Sequence, residues 1–176
     1  DRMMKLGDNY VLNHSLMDVT KYELTLINSE GKTIKQANQE GNQKVGLSFN
    51  FPVFYTSGGN VFYKNHLSEY IYLLDNNLKR KKVYWIDLGD KAINPEENQY
   101  DLKKGSLTKG KLTVGTLSAY KDWLFIPYGY DKGRFFAVYN TTSKKLFTPG
   151  VNGKSGFIDD LTNGLLVDVS SVGYIT

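Results

Sequence analysis

An all-β fold made of repeated antiparallel units is what this sequence predicts, on three observations. First, YELTLINSEGKTIKQ from Tyr22, YIYLLDNNLKRKKVYW from Tyr70 and FFAVYNTTSKKLFT from Phe135 share one plan. Each is an apolar strand that stops at Asn28, Asp75 or Asn140, crosses a short polar turn and returns as a lysine-bearing strand. Another strand lies upstream of each: NYVLNHS from Asn9, NVFYKNH from Asn60 and DWLFIPY from Asp122. A unit recurring on this scale marks a repeat architecture. Second, 13 Tyr, 9 Phe and 2 Trp in 176 residues suit pleated, half-buried surfaces. Third, 17 Gly against 4 Pro call for many tight turns rather than a linker.

The first unit runs from about residue 5 to 44. Tyr10-Val11-Leu12 is one strand, and Asp18-Val19-Thr20 lies in a connection. Tyr22, Leu24 and Leu26 alternate with Glu23 and Thr25, the period of a half-buried strand. Asn28-Ser29-Glu30-Gly31 is a turn in which Gly31 takes φ > 0 at low cost. Thr33 to Gln36 begins the returning outer strand.

The second unit, 46–89, holds an aromatic strand over 49–55, with Pro52 confining it to an edge or a strand start. Ser57-Gly58-Gly59-Asn60 is a turn, followed by strands over 61–63, 71–74 and 83–88. Three or four strands in about forty residues is the size of a propeller blade. Residues 90–112 form an insertion: the repeats are spaced by 48 residues and then by 65, an excess of 17. Asn94-Pro95-Glu96-Glu97 predicts a short helix to about Leu102, with Asn94 as N-cap and Pro95 in the first position. The third unit, 117–151, has strands near 123–128, 135–139 and 145–148, and a fourth begins over 156–176. The apolar runs 71–74 and 135–138 read as strands covered on both faces.

Bulk properties narrow the function only a little. The net charge is +4, and the densest basic cluster is Lys79-Arg80-Lys81-Lys82. It reads as a solvated hairpin tip or a protected strand edge, ahead of a site for phosphate, acidic glycan or anionic lipid. With no Cys there is no disulfide, thiolate metal site or thiol nucleophile. No apolar run reaches the length of a membrane span, and no signal peptide is visible. The start on Asp1 and the stop after an apolar stretch over 172–175 suggest a piece of something longer, with a leader removed.

The stretch FYTSGGNVFYKNHLSEYIYLLDNNLKRKKVYWIDLGDKAIN resembles a blade of the six-bladed β-propeller proteins, related to NHL-repeat propellers, that occur as secreted lipoproteins in gut Bacteroidetes. Ser68, Ile71-Tyr72, Asp75 and Asp87-Leu88-Gly89 carry the resemblance. VYNTTSKKLFTPGVNGKSGFIDDLTNG resembles the next blade and the passage after it, through Gly156, Asp159, Asp160 and Gly164; Leu165-Leu166 departs from the pattern. The resemblance implies a partial propeller of about three blades plus part of another, in a secreted, periplasmic or outer-membrane lipoprotein. It implies membrane attachment only through a lipid anchor that this chain lacks. The remaining blades would come from the same longer chain or from a second copy. The alternative fold is an antiparallel β-sandwich.

Several constellations are candidate sites. Trp123, Tyr128, Tyr130 and Arg134 gather around YGYDKGR; exposed aromatics with an Arg suit a sugar ring or an anion, while packing between blades also uses aromatics. Asp159 and Asp160 are a possible Ca²⁺ pair, or caps of a turn. His14 and His66 occupy equivalent places and lack a third zinc ligand. No hydrolase triad, phosphate loop or nucleic-acid motif is present.

The expected function is a non-catalytic binding or scaffold module, its ligand a glycan, a peptide or a partner protein and not a nucleic acid. Its contacts would lie on the connections after the innermost strands. The alternative is a propeller glycosidase or lyase in which carboxylates such as Asp18 and Asp159 converge.

Overall fold

The structure, a computed structural model, describes residues 3–14, 22–38, 54–65, 68–93, 110–131 and 133–148, with the backbone of four short strands beyond them. The chain divides into two compact units, Asp1–Leu107 and Thr108–Thr176.

The first unit holds two four-stranded antiparallel sheets. Sheet one is β1 (Met3–Leu6), β2 (Asn9–Asn13), β3 (Tyr22–Ile27) and β4 (Thr33–Asn38). Sheet two is β5 (Phe54–Ser57), β6 (Asn60–Tyr63), β7 (Tyr70–Leu74) and β8 (Arg80–Trp85), followed by a 3-10 turn over Gly89–Lys91. In both sheets the strands lie side by side in chain order. That simple meander is the pattern of a propeller blade, whereas a sandwich of this kind relies on Greek-key connections.

The two sheets share one apolar layer. Leu6, Val11, Leu24 and Leu26 of sheet one meet Phe54, Val61, Tyr63, Tyr72 and Leu74 of sheet two, together with Leu78 from its last turn. Antiparallel partners point to the same face, so the registers Val11 with Leu26 and Phe54 with Tyr63 with Tyr72 place each set on one side of its sheet.

The second unit holds a five-stranded sheet. β10 (Ser118–Tyr120), β11 (Trp123–Tyr130), β12 (Gly133–Asn140) and β13 (Lys145–Phe147) repeat the blade order, and β9 (Leu112–Val114) adds to the far end of β11. Two strand pairs follow: β14 (Gly150–Val151) with β15 (Lys154–Ser155), and β16 (Phe157–Asp159) with β17 (Leu165–Val167).

The repeat predicted from Asn28, Asp75 and Asn140 has a common chemical cause. Asn28 Oδ1 accepts the amides of Glu30 and Lys32 at 3.1 and 2.8 Å. Asp75 Oδ1 accepts those of Asn77 and Lys79, both at 2.8 Å. Asn140 Oδ1 accepts those of Thr142 and Ser143 at 3.1 and 2.7 Å. An Asn or Asp at the end of the third strand thus turns the chain back in all three blades.

Some expected boundaries shift. β1 was not foreseen; it joins β2 through a tight turn at Gly7, whose φ is +61°. The strand expected over 83–88 runs from Arg80 to Trp85 instead, because the basic run pairs with β7 rather than forming a loop. The predicted helix after Asn94 lies outside the described residues.

Candidate functional site

The most constrained polar cluster sits between sheets one and two, and it begins with an irregularity in β3. Tyr22 pairs with Asn38 and Leu24 with Ala37, so Glu23 is an extra residue in a β-bulge. A bulge breaks the period of two and re-aims a side chain. Glu23 and Leu24 therefore both reach toward sheet two. The Glu23 carbonyl accepts the His14 amide at 2.9 Å and the Asn13 side-chain amide at 3.3 Å.

The Glu23 carboxylate is held entirely by sheet two. The Tyr63 hydroxyl and the Asn65 side-chain amide both donate to Oε1. Oε2 makes no aligned hydrogen bond and is held by charge, 2.7 Å from Arg80 Nη2. Arg80 Nη2 also donates to the Asn38 carbonyl at 3.3 Å, and the guanidinium lies 5.4 Å from the Tyr63 ring centroid. The two charged side chains are 2% and 6% exposed. Burying such a pair is costly, and the charge contact together with the two donors to Oε1 offsets part of that cost. Burial, then the Glu23 charge, pushes the Tyr63 hydroxyl well above the usual tyrosine range.

This overturns two readings of the sequence. Glu23 belongs to the buried interior rather than to a solvated face, and Arg80 is an inter-sheet anchor rather than part of a solvated run. Its neighbour Lys82 rests its ammonium 4.0 Å from the Tyr70 ring centroid. Lys64, 5% exposed, was also missed; burial lowers its ammonium to about 8, partly opposed by Glu69, and Nζ donates to the Asn65 carbonyl at 3.2 Å. A charged residue inside an apolar run was the only sequence signal for Glu23, and nothing local distinguished Arg80 from its neighbours.

Sheet three carries the aromatic candidates and spreads them along one long hairpin. β11 and β12 have 8 residues each, against 5 and 6 for β2 and β3 and 4 and 5 for β6 and β7. Tyr130 pairs with Gly133 at the tip, Arg134 with Gly129, and Tyr128 stacks on Phe135 with ring centroids 5.5 Å apart. Tyr128 and Tyr130 share one face of the sheet, and Arg134 lies on the other. Trp123 is seven positions away, opposite Asn140 at the other end, where its ring meets Phe147 at 5.9 Å. The hairpin thus brings Tyr128 and Tyr130 together, with Arg134 on the reverse side, and does not bring Trp123 to them.

The remaining candidates divide as follows. His14 Nε2 lies 2.7 Å from Thr25 Oγ1 within its own sheet, and His66 is outside the described residues. Asp159 ends β16, but its side chain, Asp160 and Asp18 lie outside the described residues. Among the described residues no three His, Cys, Asp or Glu side chains gather to hold a metal ion, and no helix is long and apolar enough to cross a membrane.

Comparison with known proteins agrees with the blades. The crystal structure of a "Putative exported protein" from Bacteroides fragilis is similar to this chain at a TM-score of 0.62 and 16% identity. The match covers 84% of this chain and 45% of that one, so the chain spans less than half the length of its structural relative. No curated protein matches. Residues 6–167 match the DUF5128 family, described as a 6-bladed beta-propeller, and three blade-like sheets are half of the six that description names. The chain belongs to this 6-bladed β-propeller family.

Proposed function

We propose that this chain is a non-catalytic binding or scaffold module of an exported bacterial protein, held at the cell envelope or secreted from it. The observation that carries the reading is the departure of the third blade from the other two. Three copies of one turn chemistry and a sealed Glu23–Arg80 cluster serve to hold sheets in shape. The eight-residue strands β11 and β12 exceed what the blade plan requires. Added length on a rigid scaffold is where recognition usually resides. Tyr128, Tyr130 and Arg134 supply an aromatic face and an exposed cation there, suited to a glycan, a peptide or a partner protein. Export is supported by the name of the structural relative, and lipid anchoring by the sequence resemblance.

The test is an array of glycans and peptides probed with the intact chain and with a variant in which residues 129–134 are replaced by a two-residue Asn-Gly turn. Binding by the intact chain, lost in the shortened one at an unchanged melting temperature, is the expected result. Equal binding of every ligand by both, or none by either, would overturn the reading.

A further inference from the structure

We propose that Tyr120, Trp123 and Phe147, at the opposite end of sheet three from the hairpin tip, form a platform for the ring of an acidic sugar residue. The inference concerns a different surface from the hairpin and stands independently of it.

Internal comparison of the blades motivates it. Leu26, Leu73 and Val138 each lie two residues before the Asn or Asp that ends the third strand. Their partners on the fourth strand are Lys35, Lys81 and Phe147. The second strands open with Asn9, Asn60 and Trp123, paired with Leu6, Ser57 and Tyr120. Where two blades place an Asn and an exposed Lys, the third places Trp and Phe. The blade plan therefore does not need aromatic side chains at these positions. They are nonetheless exposed: Tyr120 by 66%, Phe147 by 45% and Trp123 by 38%. Large apolar side chains grouped at the surface mark an interaction site.

The surroundings select the ligand. Tyr120 and Trp123 are direct cross-strand partners, and the Trp123 and Phe147 rings meet at 50° with centroids 5.9 Å apart. The site is firmly built, because the Thr141 amide and hydroxyl both donate to the Asp122 carbonyl, at 2.7 and 3.1 Å, and tie the two adjoining turns together. A pyranose presents a C–H-lined face to an indole and keeps a rim of hydroxyls for polar neighbours. Lys145 lies on the same face, through the shared partner Asn140, and the Lys121 ammonium sits 5.3 Å from the Tyr120 ring centroid. With Lys144 exposed in the same turn, three lysines stand against Asp122 among the described residues of these two turns and β13, so a carboxylate on the sugar is favoured over a neutral ring.

Calorimetric titration of the full chain with a trimer of galacturonic acid and with its neutral galactose counterpart tests this. The acidic trimer is expected to bind more tightly, and to weaken as salt is raised. Trp123→Asn and Phe147→Lys install residues that the other blades carry, so each is expected to fold and to bind about tenfold more weakly, a loss of about 1.4 kcal/mol. Lys35→Ala, which removes an exposed cation from β4 of sheet one, is expected to leave binding unchanged. Absence of binding by both trimers, equal binding of the two, or an equal loss in Lys35→Ala would overturn the proposal. So would shielding of Trp123 from acrylamide in a Trp85→Phe background, which would show the face covered by protein.

Discussion

Glu23 Oε2 lies 2.7 Å from Arg80 Nη2, with both side chains almost wholly buried between neighbouring sheets. Residues 57 positions apart in sequence are thereby fixed to one another, and with them the register of two blades. A buried ion pair is weak evidence for net stability, since desolvation can cancel its attraction. Its removal one partner at a time is a different matter. Arg80→Met leaves a buried carboxylate whose Oε2 has lost its cation, and is expected to cost about 3–5 kcal/mol. The double variant Glu23→Leu with Arg80→Met should recover most of that loss. Urea unfolding read from Trp85 in a Trp123→Phe background follows the relevant unit.

Tyr63 gives the same cluster a second test. Its hydroxyl donates to a charged acceptor, so Tyr63→Phe is expected to cost about 1.5–3 kcal/mol while leaving the apolar layer intact. An unchanged midpoint would mean that the Asn65 amide alone satisfies Oε1.

Stability should vary with pH through groups of opposite sign. Folded Lys64 loses its proton near pH 8, against 10.5 for the ordinary side chain, chiefly through burial. Between those values the unfolded chain holds more protons, so stability rises with pH, by at most about 3 kcal/mol. Tyr63 and Tyr55 act the other way, since burial raises both. The unfolded chain ionises first, and stability falls above about pH 10. A maximum between these limits, with the rise abolished in Lys64→Met, is the expected profile in denaturant melts.

The contrast between these groups and the turns explains what the sequence made legible. Asn28, Asp75 and Asn140 act on amides two to four residues away, so their role is written locally and the three blades could be recognised from it. Glu23 acts through a bulge that resets the strand's period, and its partners come from positions 63, 65 and 80. No pattern local to β3 carries that information. Arg80 was concealed by Lys79, Lys81 and Lys82, whose composition is the same and whose surroundings are not. The hairpin of sheet three was legible as a cluster of aromatics, but not that Trp123 sits at its far end, which depends on strands extending to eight residues.

The turns yield a graded prediction. Asp75→Asn should be nearly neutral, because Asn performs the same task in the other two blades. Asp75→Ala forfeits two backbone hydrogen bonds and should cost about 1 kcal/mol. Leu78, in the same turn, holds φ at +60° yet is only 4% exposed. Leu78→Gly relieves a backbone cost of about 1–2 kcal/mol and gives up a buried side chain, which outweighs it at about 2–5 kcal/mol. Melting temperatures should therefore rank wild type and Asp75→Asn first, then Asp75→Ala, with Leu78→Gly lowest.

At Gly129 close approach, rather than φ, sets the constraint. A Cβ there would lie 2.8 Å from Thr113 Oγ1, on the strand that β9 adds to the long hairpin. Gly129→Ala must displace Thr113, and overpacking of this kind costs about 1–3 kcal/mol. Because β9 is held to β11 only over Tyr128–Tyr130, the strain should appear as faster amide exchange around 112–114 rather than as loss of the sheet. Thr113→Ala removes the colliding oxygen, so the double variant should restore slow exchange. Continued fast exchange in the double variant would mean that the glycine serves the backbone of β11 itself.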